Sequence, residues 1–403
     1  MSNTAVTCSI VAMEALPILE NMLSFTQGVN REWEDEFTSN ASRGYMPGAT
    51  IKIKKPPRYT YRAGRVSVPQ ATTETSLDLT LSQGGTDLNF TSLEQTLSFS
   101  KLEQKVAAAL APVANEIDRQ GLQLAHYSTF NTLNAAGALP TTQALAVAAM
   151  TDVNTRLDEM GAPVKDGNRR FIMNPKLNGS MIQGYAGLFN NAASVSKQYS
   201  SGYMADSFGL SPGMDQNVDV HTNGTQVVTG TAVAAGLSGA AITCVGLGGT
   251  ITRGTIVQFP GVYSVNPQSR QSTGTLAQFV ITADLAASAT SLPISPAMVT
   301  SGAFQNVSNA TTAANFTIVG AASTAYATNV AFHKDAFTLA MVPMWAPPGG
   351  KGVIDVAQKS RNGFTVKVTN FYDGVNDNSI WRLDVLFGWA ATYPELSAKY
   401  YTV

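Results

Sequence analysis

Six of the chain's 26 basic residues, Lys52, Lys54, Lys55, Arg58, Arg62 and Arg65, stand within fourteen consecutive positions, and the acidic run Glu32-Trp33-Glu34-Asp35-Glu36 lies just ahead of them. Cations at that density can be solvated on an exposed face, can meet acidic or polar surface on a neighbouring chain, or can hold phosphates. Each exposed pair is worth under about 1 kcal/mol, but an assembly repeats it many times. Phosphate binding is opposed by the nearby carboxylates and by a net charge of −1. The first two readings stay open, and the candidate contact residues are those six cations with Glu32, Glu34, Asp35 and Glu36.

Other chemistry finds little support. Gly246-Leu247-Gly248-Gly249-Thr250-Ile251 lacks the final glycine of a dinucleotide fingerprint, and Gly349-Gly350-Lys351-Gly352 lacks the hydroxyl residue and upstream glycine of a phosphate loop. Cys8, Cys244, His126, His221 and His333 are too scattered for a structural zinc site, so each is expected to be a buried or idle side chain. Paired carboxylates stay open, because distance in space is hidden. The sequence predicts no enzyme, no cofactor and no metal.

Charged residues make up 13% of the 403, about half the roughly 25% usual in soluble domains. So few charges protect poorly against self-association and predict a chain packed against other chains. Glu14 and Glu20 interrupt the apolar stretch near the N-terminus, and no apolar run reaches 18 residues, so neither an export signal nor a membrane span is expected.

The elements that would position the basic cluster follow from periodicity. Residues 1–46 carry an amphipathic piece (Ile10, Val11, Leu16, Ile18, Leu19) and read as an arm with little core of its own. Residues 47–93 alternate with period two: Ile51 and Ile53 against Lys52 and Lys54, Tyr59 and Tyr61 against Thr60 and Arg62, Leu77, Leu79 and Leu81 against Asp78 and Thr80. They read as a long β-excursion that bears the cations. Helix takes over between about Glu94 and Leu133 within a segment 94–140, with Pro112 expected at the first turn of a second helix. Val113, Ile117 and Leu124 would form one of its apolar stripes, with Gly121 allowing close approach, and Leu122, Phe130 and Leu133 another.

In 141–221 the spacing predicts a helix from about Thr142 to Gly161, a buried strand at Phe171-Ile172-Met173, and a helix capped by Asn174-Pro175. Residues 222–327 hold only Arg253, Arg270 and Asp284 among the chain's charges, and short apolar pieces there predict an inserted all-β barrel or sandwich. In 328–403, Phe332 to Met341 reads as a helix, and Phe364, Val366 and Val368 should pair with Trp381, Leu383, Val385 and Phe387 in a hairpin. This last segment is too short and strand-poor to bury its aromatics alone, so one α+β domain is expected to be interrupted by the insertion and completed after it.

That order resembles the major capsid protein of tailed double-stranded-DNA phages, in particular the coat proteins of short-tailed lambdoid phages, with the Hong Kong ninety-seven fold and an inserted domain. The likeness rests on Leu110-Ala111-Pro112-Val113 and Leu124-Ala125-His126-Tyr127, then Asn329-Val330-Ala331-Phe332-His333-Lys334-Asp335-Ala336-Phe337, Val342-Pro343 and Pro347-Pro348-Gly349. Phe371-Tyr372-Asp373-Gly374, Trp381-Arg382-Leu383-Asp384-Val385-Leu386-Phe387-Gly388-Trp389 and Tyr393-Pro394-Glu395 complete it. The resemblance implies an N-terminal arm, an extended loop lying on a neighbouring subunit, a spine helix over Pro112 to Leu133, and axial and peripheral domains. It implies a virion shell protein assembled in the bacterial cytoplasm, whose partners are itself in hexamers and pentamers, a scaffolding protein, a portal protein and double-stranded DNA held non-specifically, with a decoration protein left open. Some relatives cross-link through a loop lysine, a place Lys52, Lys54 or Lys55 could take, but no partner motif is visible and no cross-link is expected. The alternatives are a compartment shell of the same fold and a β-rich secreted adhesin.

Overall fold

The computed structural model describes residues 8–33, 50–67, 69–72, 74–91, 102–185, 206–227, 229–233, 237–308, 315–345, 353–361 and 364–403. The chain divides into two units, Met1–Ile53 with Leu77–Gly121 and Thr338–Ala390, and Lys54–Ser76 with Leu122–Phe337 and Ala391–Val403.

In the first unit the C-terminal alternation becomes an antiparallel sheet. Val353–Arg361 pairs with Phe364–Asp373, which pairs with Asn378–Ala390; Thr338–Met341 continues along that same edge of the long strand, and its other edge carries Ser82–Thr91. Asp373 faces Asn378, so residues 374–377 form the turn of the expected hairpin. Trp381, Leu383, Val385 and Phe387 are all buried, which is what period two achieves when one face has a core to fill.

The N-terminal segment, read as an arm with little core of its own, carries helix α1 (Cys8–Met22). Cys8, Val11, Ala12, Ala15, Leu16 and Leu19 recur at helical spacing and are all buried. The helix packs on the Val353 and Phe364 strands, and the Asp355 carboxylate accepts from the Cys8 N–H at 2.7 Å.

Helix α2 (Leu102–Ser128) is one helix of 27 residues with Pro112 inside it, not a second helix starting at Pro112. Pro112 and Ala108 are both exposed, so the Ala108 carbonyl left without a partner can bond water and the helix survives. The helix ends at Ser128 rather than Leu133, because Thr132–Leu133 pairs with Lys399 and Tyr400 as a parallel strand. Ile117 and Val113 are buried as expected. Gly121 does allow close approach: a Cβ there would lie 2.6 Å from Trp389 Cζ2 and 2.8 Å from Phe25 Cε1. The Trp389 indole also donates to the Ile117 carbonyl at 3.1 Å. Helix propensity alone would favour alanine at position 121 by about 1 kcal/mol. The clash is expected to win, so Gly121→Ala should lower the unfolding free energy by about 1 to 3 kcal/mol in urea titrations. Phe25→Leu should recover part of that loss, and a Gly121→Ala chain as stable as the native one would refute the packing argument.

In the second unit a six-stranded sheet runs in the order Thr132–Leu133, Ser397–Thr402, Ala325–His333, Arg169–Met173, Ser211–Met214, with Val220–Thr222 also on the Ala325 strand. Helices α3 (Gln143–Glu159) and α4 (Pro175–Tyr185) share its core with Phe171, Met173, Ala331 and Ala398. The cap chemistry is as read: Thr142 accepts from the Leu145 N–H, Gly161 takes φ +80°, and Asn174 Oδ1 accepts from the Leu177 N–H at 2.8 Å. Leu145 itself is 51% exposed; Ala146, Ala149, Met150, Val153 and Leu157 form the buried face.

The charge-poor segment builds a separate antiparallel sheet around its own core, which includes Val257, Phe259, Phe279, Ile281 and Phe316. Its order is Thr229–Ala232, Asn315–Ile318, Ile256–Val265, Ser272–Ile281, Ser291–Met298, Gly239–Thr243, with Val307–Ser308 on the Ile256 strand. An isolated bridge between Val233 and Cys244 joins the two ends of that order. Thr222 faces Ala325 across a strand pair, so the chain leaves and re-enters the parent sheet at one place.

Two further expectations are corrected. Phe332 to Met341 is not a helix: the Ala325 strand runs through His333, a 3-10 turn covers Lys334–Ala336, and Thr338–Met341 is a strand. A run buried on every side carries no period to separate helix from strand. The 328–403 segment is in fact rich in strand. Tyr59 to Arg62 form no strand either; Pro56 and Pro57 lack the N–H groups a ladder needs, and Tyr61 is 93% exposed. No helix among the described residues is long and apolar enough to cross a membrane.

Candidate functional site

The basic cluster is carried by Thr50–Lys55 and the irregular chain after it. Ile51 and Ile53 point into a core with Leu79, Leu81 and Ala340, which leaves Lys52 and Lys54 on the opposite, exposed face. Lys54 Nζ pairs with Glu74 at 2.9 Å across the excursion, with both side chains largely in water. Arg62 folds back onto the carbonyls of Gly64 and Val66, and Arg65 is exposed.

Lys55 and Arg58 behave differently. Arg58 Nη2 meets Glu395 Oε1 at 3.2 Å and its guanidinium lies 5.9 Å from the Phe304 ring centre. Lys55 Nζ lies 5.4 Å from the Tyr393 ring centre. Burial holds the Lys55 ammonium below its ordinary pKa, with Glu395 pulling it up and Arg58 pushing it down. The expected cluster therefore splits into cations in water and two that are drawn against Tyr393 and Glu395. Sequence reasoning missed those partners because 337 positions separate Arg58 from Glu395. Glu32 is exposed, while Glu34, Asp35 and Glu36 lie outside the described residues, as does Gly349-Gly350-Lys351-Gly352.

The scattered cysteines and histidines are all buried. Burial, then the Asp355 charge, pushes the Cys8 thiol up to about 12, far from a reactive thiolate. His126 Nδ1 bonds Asp219 at 2.6 Å and His333 Nε2 bonds Asp166 at 2.6 Å. The Gly246 loop is held by Gln226, whose Oε1 accepts from the Gly248 and Gly249 N–H groups. Among the described residues no group of three or more His, Cys, Asp or Glu could hold a metal ion.

This geometry offers contact surface, with no assembled reaction centre among the groups the sequence singled out. The model of the family described as "P22 coat protein - gene protein 5" matches residues 52–398. The chain belongs to the P22 coat protein family. This coat protein is a structural capsid component that assembles with its own copies. Among solved structures it is similar to that titled Mycobacterium phage Che8, at 12% identity and a TM-score of 0.51, covering 94% of this chain and 90% of that one. A structure titled as the capsid of Myoviridae phage XM1 aligns at 9% identity and a TM-score of 0.40 over 94% and 91% of the two chains. One titled as a virus-like particle from Pyrococcus furiosus aligns at 7% and 0.43 over 97% of each. No curated protein matches the sequence. The α+β fold is the Hong Kong ninety-seven type that the resemblance implied.

Proposed function

We propose that copies of this coat protein close into an icosahedral shell around a double-stranded DNA genome, in the bacterial cytoplasm, guided by a scaffolding protein and built onto a portal. The family match carries this reading. The excursion at residues 59–67 supports it, because Tyr61 and Val66 are 93% and 79% exposed and none of the described residues covers them. We read residues 47–93 as the extended loop that lies on the neighbouring subunit, with Lys52, Lys54, Arg62 and Arg65 as its contact charges. Residues 222–327 are read as an inserted barrel, which the bridge between its end strands and the shared entry and exit at Thr222 and Ala325 support. Apolar burial between copies supplies the affinity, and loop charges set the register.

Co-expression with the neighbouring gene products, followed by sedimentation and negative-stain imaging, should yield closed megadalton particles. Monomers or dimers under every condition would overturn the reading. A chain with Tyr61→Ala and Val66→Ser should keep its unfolding free energy within about 0.5 kcal/mol, since both sites are in water. Its yield of closed particles should nevertheless fall sharply. Unchanged yield would mean that the loop tip is not a subunit contact.

A further inference from the structure

Two adjoining hollows in the second unit, about 280 and 670 Å³, share Arg58, Met160, Pro267 and Glu395 and together make a groove between the base of the excursion and the turn at residues 266–271. Its charges are unbalanced. Arg58 has Glu395, but among the described residues no carboxylate lies within ion-pair distance of Lys55 or of Arg270. Arg270 sits in the left-handed region at φ +56°, donates one Nη2–H to the Tyr59 carbonyl at 3.0 Å, and keeps a buried Nε with no partner. A buried, unpaired guanidinium N–H costs free energy until an acceptor arrives. Around these cations the lining mixes apolar and aromatic side chains, Phe304, Tyr393, Tyr61, Pro267 and Met160, with the amides of Asn266, Gln268 and Gln305.

The ligand that fits carries carboxylates next to an aromatic ring. A phosphate chain would satisfy the cations and leave the aromatic walls uncovered. The densest acidic run in this sequence has that composition: Glu34-Asp35-Glu36 is followed at once by Phe37. Trp33, immediately before it, packs in its own copy against the core of Ile51, Ile53, Leu79 and Leu81, so the run begins where that anchor ends.

We propose that this groove receives residues Glu34 to Phe37 of a second copy of the chain, the carboxylates meeting Lys55 and Arg270 and Phe37 covering the aromatic walls. The inference rests on the shell reading, which supplies second copies at high local concentration. Complementary charge fixes which segment docks and in what register, and water-excluding aromatic contact supplies the affinity.

The test is photo-crosslinking in assembled shells of the full chain, with p-benzoylphenylalanine in place of Tyr61, which lies on the groove rim. Irradiation should give a covalent dimer band whose junction peptide contains residues 34–37. Junctions to any other segment, adducts to nucleic acid, or crosslinks confined to monomer-sized chains would each overturn the proposal. As an independent measure, Arg270→Glu should reduce shell yield about tenfold, and adding Glu34→Lys with Glu36→Lys should restore most of it. A loss that these changes do not rescue would also count against the contact. If the native chain itself makes no particles, the shell reading fails and takes this proposal with it, an outcome told apart from a missing crosslink by the absence of shells.

Discussion

Asp118→Ala is expected to lower the unfolding free energy by about 3 to 5 kcal/mol. The Asp118 side chain is 1% exposed on α2, and its carboxylate accepts from the Ser24 N–H at 2.8 Å, the Phe25 N–H at 3.4 Å and the Thr26 N–H at 3.1 Å, and also bonds the Thr26 hydroxyl. It does for the 3-10 turn Thr26–Gly28 what a local capping residue would do, since Phe25 at the cap position offers no side-chain acceptor. Alanine strands those donors in the interior, and each buried unsatisfied N–H costs about 1 to 3 kcal/mol, with incomplete additivity. Asp118→Asn keeps an acceptor but aims an amide N–H₂ toward donors, so it should fall between the native and alanine chains. Urea midpoints measure the first effect, and amide exchange at Ser24, Phe25 and Thr26 locates it. An alanine variant that loses under about 1 kcal/mol, or leaves those amides protected, would show that the segment is held by its apolar contacts alone.

What could be read beforehand and what could not divides along physical lines. Cap and turn chemistry is local, so Thr142, Gly161, Asn174 and the turn at 374–377 fall where the sequence puts them. Period two survives where one face is buried, as at Ile51 and Ile53 or Trp381 to Phe387. It misleads at Tyr59 to Arg62, where alternation occurs in chain that pairs with no strand, and it is silent at Phe332 to Met341, where both faces are buried. Asp118 could have been suspected: it follows Ile117 on the buried stripe of α2, where an unpaired charge is too costly to stand. Glu395 and Arg270 gave no such sign, because their value comes from neighbours hundreds of positions away.

The low charge content acquires a structural meaning from these cases. Several of the ionised groups are spent inside a copy: Asp118 on the N-terminal turn, Arg169 on the carbonyls of Ala162 and Pro163 with Asp158, and Arg156 on Asn131, Glu159 and Thr275. That leaves fewer to repel a neighbouring copy, and four of the ten exposed cations among the described residues, Lys52, Lys54, Arg62 and Arg65, lie on one excursion. A surface poor in charge associates chiefly by burying apolar area.

Lys399→Met is expected to stabilise the chain at pH 7, by about 1 to 3 kcal/mol. Every residue of Ser397–Thr402 is buried, and among the described residues the one hydrogen-bond acceptor of Lys399 Nζ is the His126 carbonyl, at 3.0 Å. That carbonyl belongs to the last turn of α2, where a cation is favoured by the helix dipole, but the gain is about 1 kcal/mol or less. Burial works against it and brings the ammonium from 10.5 down to about 7, with the Asp219 charge giving the only upward pull. Between pH 7 and 10.5 the unfolded chain therefore holds a proton that the folded chain has shed, so stability rises with pH across that window. The cost of keeping the cation is fully present below about pH 7 and gone near pH 10.5. Methionine has similar length and no charge, so its advantage at pH 7 should shrink toward zero, or reverse, by pH 10, where the neutral amine still donates to His126. On the acid side the order is different: His126 and His221 are both held below the ordinary histidine pKa by burial, His221 to about 3. The unfolded chain takes up their protons first, and stability should fall as the pH drops below about 6.5 in both chains. Urea titrations at pH 5, 7 and 10 separate these arms. A methionine variant weaker than the native chain at pH 7 would mean that the bond to the helix end outweighs the desolvation of the ammonium, and that Lys399 is there to hold α2 against the sheet.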